Sequence, residues 1–377
     1  MTPLLSNSEF FIDNHYAREK EFRTFIHIFQ APNFYPQKIA HQYFDSIFNQ
    51  IFWQKFIRDG GIWPHLAYHC YHYHHYSHSY LTPAMSAFFN HTATNFKANQ
   101  ILRKIDMLLK PAKISFAILK GKILAELYYC HAGCRPYGDI DLFIDESDRF
   151  RIQELLLGQE WKMMFHSNYH QADHDTYINP NGYIVEFHWQ LHVMAGSVPF
   201  LSIPAEALKK NWSPVFIEKH LYYTLQPELH FISNMLNWMK RPKFGWPPLK
   251  YFDLYYILQR TSRDRILELA QNFNMVEPAL YFINEIHYYF CAGRIHTKKP
   301  VVFSLIKEYR SENFFYFIRI RWYWRQNALK FIRDIVRLLF PDQIYLKKFY
   351  HGVDGRLLCR WWKEKATQFF RRLRLID

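Results

Sequence analysis

Two aspartates, Asp139 and Asp141, lie two residues apart in DIDLFID, a run whose alternation reads as a β-strand. An i, i+2 pair on a strand projects both carboxylates to one face. Two anions side by side need a cation, and their hard oxygen donors suit magnesium. Two such ions about 3.5 to 4 Å apart can stabilise both the attacking and the leaving oxygens of an in-line phosphoryl displacement. A D-x-D pair alone is common on surfaces and in turns, so its neighbours decide its weight. Upstream, Lys120, Gly121 and Lys122 fall where a strand passes into a helix. There the glycine lets the backbone approach a phosphate, and the helix start offers N–H groups to an anion. Downstream, Glu186 alternates with Val185 and Phe187 in YIVEFHW, where it can complete the metal site or take a proton from an acceptor. Arg135, four residues before Asp139, is placed to neutralise triphosphate charge.

The elements that must position these groups are legible from period and punctuation. Pro111 is followed by the β-prone KISFAIL, then by KGKILAELYYCHAG, whose apolar residues keep helical spacing up to Gly133. After DIDLFID, SDRFRIQELLLG reads as a helix with a Ser147 cap and a Gly158 stop. HDTYIN and YIVEFHW read as strands flanking the turn Asn179-Pro180-Asn181-Gly182. Before this block, QKIAHQYFDSIFNQIFWQKFIRDG and TPAMSAFFNHTATNFKANQILRKIDMLLK read as helices, the second opened by Thr82 and Pro83. After residue 205 the helical pattern returns in PELHFISNMLNWMK and PPLKYFDLYYILQR. The expected fold class is α+β: a small mixed sheet flanked by N-terminal and C-terminal helical regions. Four segments follow: a helical region over 1–110, the catalytic core over 111–204, a helical region completing a nucleotide cleft over 205–300, and basic amphipathic helices over 301–377.

The run LKGKILAELYYCHAGCRPYGDIDLFID followed by VEFHWQLH resembles the family of uncharacterised nucleotidyltransferases within the polymerase-beta-like superfamily. The shared pattern is an LKG turn, a helix, R-P-x-G-D-I-D-L, and an acidic residue before H-W. The resemblance covers about residues 100 to 260 and includes LKYFDLYYIL, with Asp253 at the place of that family's downstream aspartate. It implies an NTP site lined by Lys120, Gly121, Arg135, Asp139, Asp141, Glu186 and His188, with ATP the expected NTP and magnesium the expected metal. Gly121 is followed by Lys122 where the wider superfamily has Gly or Ser, and a lysine there can still serve an anion. The acceptor stays open between a protein, a peptide, a sugar and RNA.

Plainer readings stand beside each assignment. Asp139 and Asp141 can cap a strand end or belong to an inactive descendant of an enzyme. Glu186 and His188 can be structural hydrogen-bond partners, and Lys122 a solvated helix residue. Kinase-like phosphotransfer in the same pocket differs only in which phosphate moves.

Composition bounds the remainder. The 377 residues, 49% hydrophobic with 35 Phe, 27 Tyr and 12 Gly, describe a folded, helix-rich protein. No secretory signal and no stretch long enough to span a membrane is visible, so a cytoplasmic protein is expected. The five cysteines are scattered without a C-x-x-C pair. Cys130 and Cys134 have the spacing of a metal half-site, with no second cysteine pair to complete it. HLAYHCYHYHHYSHSY sets His65/His69 and His74/His78 at i, i+4, a metal-capable spacing whose default is a polar-aromatic helix face. The net charge of +14 is concentrated at the end, where residues 301–377 hold 17 Lys and Arg against 7 Asp and Glu. FIRIRWYWRQNALKFIRDIVRLLF aligns Arg319, Lys330, Arg333 and Arg337 on one ridge. Residues 314–377 can therefore contact a polyanion or an anionic membrane surface, or simply pack with a solvated basic face. A non-catalytic module binding nucleic acid, membrane or protein through these helices is the competing function.

Overall fold

The computed structural model describes residues 63–74, 81–165, 174–195, 198–240 and 248–290, with isolated positions between 41 and 62 and at 79. Helix α1 (Trp63–His74) leads into the 29-residue α2 (Leu81–Leu109), which buries Ala98, Ile101, Leu102, Ile105 and Leu109 along one face. Strand β1 (Ala117–Leu119) runs straight into α3 (Lys120–Leu127), and β2 (Asp139–Phe143) follows. Then come α4 (Arg149–Leu157), β3 (Lys162–Phe165), β4 (His174–Ile178) and β5 (Ile184–His188). The hairpin β6 (Leu191–Ala195) and β7 (Val198–Ile203) forms a two-stranded sheet of its own. Helix α5 (Ala205–Lys210), β8 (Trp212–Ile217), β9 (His220–Leu225) and four helices complete the described chain: α6 (Pro227–Lys240), α7 (Pro248–Leu258), α8 (Arg263–Asn272) and α9 (Val276–Phe290).

The main sheet has seven strands in the order β3-β4-β5-β2-β1-β9-β8. It is mixed: β2 pairs parallel with β5 and β1 parallel with β9, and the other neighbours are antiparallel. Strand alternation divides it into two faces. Ile140 and Leu142 of β2, Val185 and Phe187 of β5, and Tyr177 of β4 join the core cluster under α2 and α4. Leu119 and Phe143 belong to the other cluster, which is shared with α6 to α9. The α+β class expected from the sequence is observed.

Two features differ from the sequence reading. Residues 212–225 form the antiparallel hairpin β8–β9 and join the main sheet, so the sheet extends past residue 205, where a helical region was expected. Pro214 obscured β8, and the sheet tolerates it because β8 lies at the edge, where a missing N–H costs no ladder bond. At α4 the turn Glu146–Asp148 precedes the helix, and the Asp145 side chain accepts the Ser147 N–H where Ser147 was expected to cap. Among the described residues, no helix is long and apolar enough to cross a membrane. The basic helices expected over 301–377 lie outside the described residues.

Candidate active site

Parallel pairing of β2 with β5 sets Asp141 opposite Glu186 and Phe143 opposite His188. Since neighbouring residues in register point to the same side of a sheet, Asp139, Asp141, Glu186 and His188 share one face. One carboxylate oxygen from each of Asp139, Asp141 and Glu186 lies within 4.8 Å of the others. That spacing and the all-oxygen donor set fit a hard divalent cation.

The strand-to-helix junction between β1 and α3 adds a counter-charge. Lys120 has a φ of +48°, a left-handed conformation that costs a side-chain-bearing residue roughly 1 to 2 kcal/mol. In that conformation its Nζ donates to Asp141 Oδ1 at 2.6 Å and lies 3.1 Å from His188 Nε2. His188 Nε2 is also 2.9 Å from Asp141 Oδ1 and 3.1 Å from Glu186 Oε2. A single N–H there serves one carboxylate at a time. His174 of β4 stands opposite His188, with ring centroids 4.8 Å apart, and its Nε2 is 3.7 Å from Glu186 Oε1.

The three acids differ in their electrostatics. Burial, followed by the negative charges of Asp141 and Glu186, pushes the Asp139 carboxyl up to about 6. Burial acts upward on Asp141 too, but the Lys120 ammonium and the His188 hydrogen bond hold its carboxyl well below the usual range. Glu186 is likewise buried in part, and its hydrogen bond with His188 lowers it. The site thus holds more negative charge than its own cations balance, and Asp139 bears the strain.

The family model described as uncharacterised nucleotidyltransferase matches residues 50–290, more than half of the chain and all of this site. The chain belongs to that nucleotidyltransferase family. No curated protein matches this nucleotidyltransferase in sequence. Among solved structures, the solution structure of the antibiotic-resistance factor ANT(2'')-Ia is 14% identical with a TM-score of 0.38, covering 51% of this chain and 100% of that one. The crystal structure of ANT(2")-Ia with adenylyl-2"-tobramycin gives 14% identity and a TM-score of 0.36 over 46% of this chain and 95% of that one. An antigenic nucleotidyltransferase-like protein from Paracoccidioides brasiliensis gives 14% and 0.27 over 52% and 91%. Likenesses this distant assign no role to any residue.

Within the nucleotidyltransferase, the residues singled out from sequence separate into two groups. Asp139, Asp141, Glu186, His188 and Lys120 converge. Arg135 and Lys122 are engaged by protein partners elsewhere. Arg135 is buried and donates through Nε and Nη2 to the two oxygens of Asp253, at 2.7 and 2.8 Å, while Nη1 donates to the carbonyl of Gly121 at 3.1 Å. Lys122 is fully buried, bonded to Asn95 Oδ1 at 2.8 Å and ion-paired with Glu126. Burial lowers its pKa against the pull of Glu126. Gly121 lies against Tyr137, whose Cβ would be 2.7 Å from an added Cβ, so the glycine is needed for this contact. His174 was missed in the sequence. Building the hairpin across Asn179–Gly182 outward from its turn reaches the His174–His188 pair, so the signal was present.

Proposed function

We propose that this nucleotidyltransferase moves a nucleoside monophosphate from an NTP, with ATP the expected donor, onto an acceptor, and releases pyrophosphate. The observation that supports this reading is the gathering of the Asp139, Asp141 and Glu186 carboxylates within 4.8 Å on one sheet face. These three residues would hold magnesium. When bound, the metal supplies positive charge to the triphosphate and to the departing pyrophosphate.

The other steps fall to side chains. Lys120, on its strained junction, is within reach of the carboxylate cluster and is suited to hold a phosphate oxygen as a point charge. Glu186, more exposed than Asp141 in the His188 network, accepts the proton of the acceptor's nucleophile as that nucleophile's oxygen bonds to the α-phosphorus. The bond from the α-phosphorus to the bridging oxygen breaks, and its electron pair leaves with pyrophosphate. His188 and His174 position Glu186. Arg135, through Asp253 and the Gly121 carbonyl, fixes the turn that carries Lys120.

One observation favours a non-catalytic binding module: Lys120 already neutralises Asp141 at 2.6 Å. The two readings separate on incubation with NTPs labelled at the α- or the γ-phosphorus, magnesium, and protein, peptide, sugar and RNA acceptors. Transfer of the α-label with its nucleoside supports the proposal. Transfer of the γ-label indicates phosphotransfer, and binding without turnover indicates the module.

A further inference from the structure

The sequence offered two half-sites for a soft metal, each incomplete, in segments about sixty residues apart. The fold brings them together. His65 and His69 lie one turn apart on α1, and Cys130 follows the end of α3. A ring nitrogen of each histidine and the Cys130 Sγ all lie within 4.8 Å of one another. Cys134 Sγ is 3.7 Å from Cys130 Sγ. Two sulfurs each about 2.3 Å from a zinc ion at the tetrahedral angle lie about 3.8 Å apart, so the sulfur pair already has the spacing of two zinc ligands.

We propose that His65, His69, Cys130 and Cys134 form a tetrahedral zinc site, separate from the carboxylate cluster. The donor chemistry selects the ion: two thiolates and two imidazoles suit zinc and exclude the hard cations that carboxylates take. His65 Nε2 is 2.8 Å from the Tyr256 hydroxyl of α7. With Nε2 engaged there, Nδ1 is the ligating nitrogen, and the tyrosine is the outer partner that orients a ligating histidine. The nearest His69 contact to Cys130 Sγ is through Nε2, at 4.0 Å. Tyr129 and Phe252 stand edge-on to the His65 ring at 5.2 and 5.5 Å and give the site an apolar wall. Cys130 is exposed and Cys134 buried, so an ion can enter from one side.

Zinc binding releases the thiol protons of the ligating cysteines to solvent. The site ties α1 to the segment that continues through Arg135 to Asp139, and the adjoining Tyr256 and Asp253 belong to α7. Zinc here would brace the approach to β2 from the far side of Arg135.

The 377-residue chain, purified from zinc-supplemented medium, is expected to hold about one zinc per chain by elemental analysis. Cys130→Ser or His69→Ala should lower that content at least tenfold, while Cys70→Ser, whose sulfur is buried outside the cluster, should keep it. Where a variant fails to fold, the wild-type chain is stripped with chelator and titrated with Co²⁺. Intense visible absorption of a tetrahedral thiolate site supports the proposal. A pale octahedral spectrum, a chain that holds no metal, or a Cys130–Cys134 disulfide in the chain as purified overturns it. None of these readouts depends on nucleotidyl transfer.

Discussion

Asp141 and Glu186 stand directly opposite each other on adjacent parallel strands. The register that pairs them also sets Ile140 and Leu142 of β2, with Val185 and Phe187 of β5, in the core on the opposite face. A slip of one residue would move the carboxylates into that core and the apolar side chains into the site. The alternation that buries the sheet therefore also enforces the meeting of the acids.

Replacing Asp139 or Asp141 with asparagine removes a charge from the cluster while keeping its shape. Each change is expected to lower nucleotidyl transfer by at least about 10²-fold, since loss of a few kcal/mol of charge stabilisation has that effect on a rate. The check is α-labelled NTP incorporation, with circular dichroism showing an intact fold. Labelling unchanged in both variants would remove the mechanism.

Lys120 combines charge with an unfavourable backbone, and two substitutions separate the contributions. Lys120→Ala loses the Asp141 partner and keeps a Cβ at φ +48°. Lys120→Gly loses the same partner and relieves the backbone. The glycine variant should therefore be more stable than the alanine variant by about 1 kcal/mol, with transfer equally weak in both. Urea denaturation of the pair measures the difference, and an alanine variant as stable as the glycine one would show that the junction is unstrained.

Arg135 and Asp253 form a two-bond pair with Tyr129 Oη also donating to Asp253 at 2.9 Å, all three residues buried. Breaking such a pair leaves a buried charge unmatched. Asp253→Asn and Arg135→Met are each expected to cost about 3 to 5 kcal/mol. Arg135→Lys should recover only part of this, because an ammonium cannot make the planar fork. Chemical denaturation reads these costs, and losses below 1 kcal/mol would mean the pair is not the strut described.

How much of this was visible beforehand follows from range. The D-x-D strand and the helix start at Lys120 are local patterns, and both were readable. So was Glu186 as a candidate, though its register with Asp141 depends on two strands separated by α4 and a hairpin. Arg135 reads as a triphosphate cation from its place four residues before Asp139, and Lys122 as an anion contact from its place at the Gly121 turn, with a solvated helix residue as its plainer reading. Their partners, Asp253 and Asn95, lie 118 and 27 residues away, and no local pattern announces them. The β8–β9 hairpin was obscured by Pro214 and by the short alternation of HLYYTL beside strong helical runs. Each metal half-site is a local spacing in the sequence, and only the packing of α1 against the segment after α3 joins them.

His230 of α6 is fully buried, and that burial makes the stability of the fold depend on pH. Its Nε2 lies 2.9 Å from Thr224 Oγ1 of β9, and that hydroxyl donates to the carbonyl of Ile118 in β1 at 2.8 Å. With the hydroxyl proton so committed, the histidine donates and the threonine accepts, which places a ring proton on Nε2. Burial holds its pKa down to about 3, against 6.5 for an unperturbed ring. The unfolded chain therefore binds more protons between these values, so stability rises with pH there. The contribution is fully present above pH 6.5 and is lost as pH falls towards 3. One proton gives a slope of about 1.4 kcal/mol per pH unit. His230→Gln, measured by urea denaturation at pH 4, 5, 6 and 7, should show a shallower dependence between pH 4 and 6 by close to that slope. A variant that keeps the wild-type slope would place the titrating group elsewhere and leave the His230 bond to Thr224 without an acid-sensitive role.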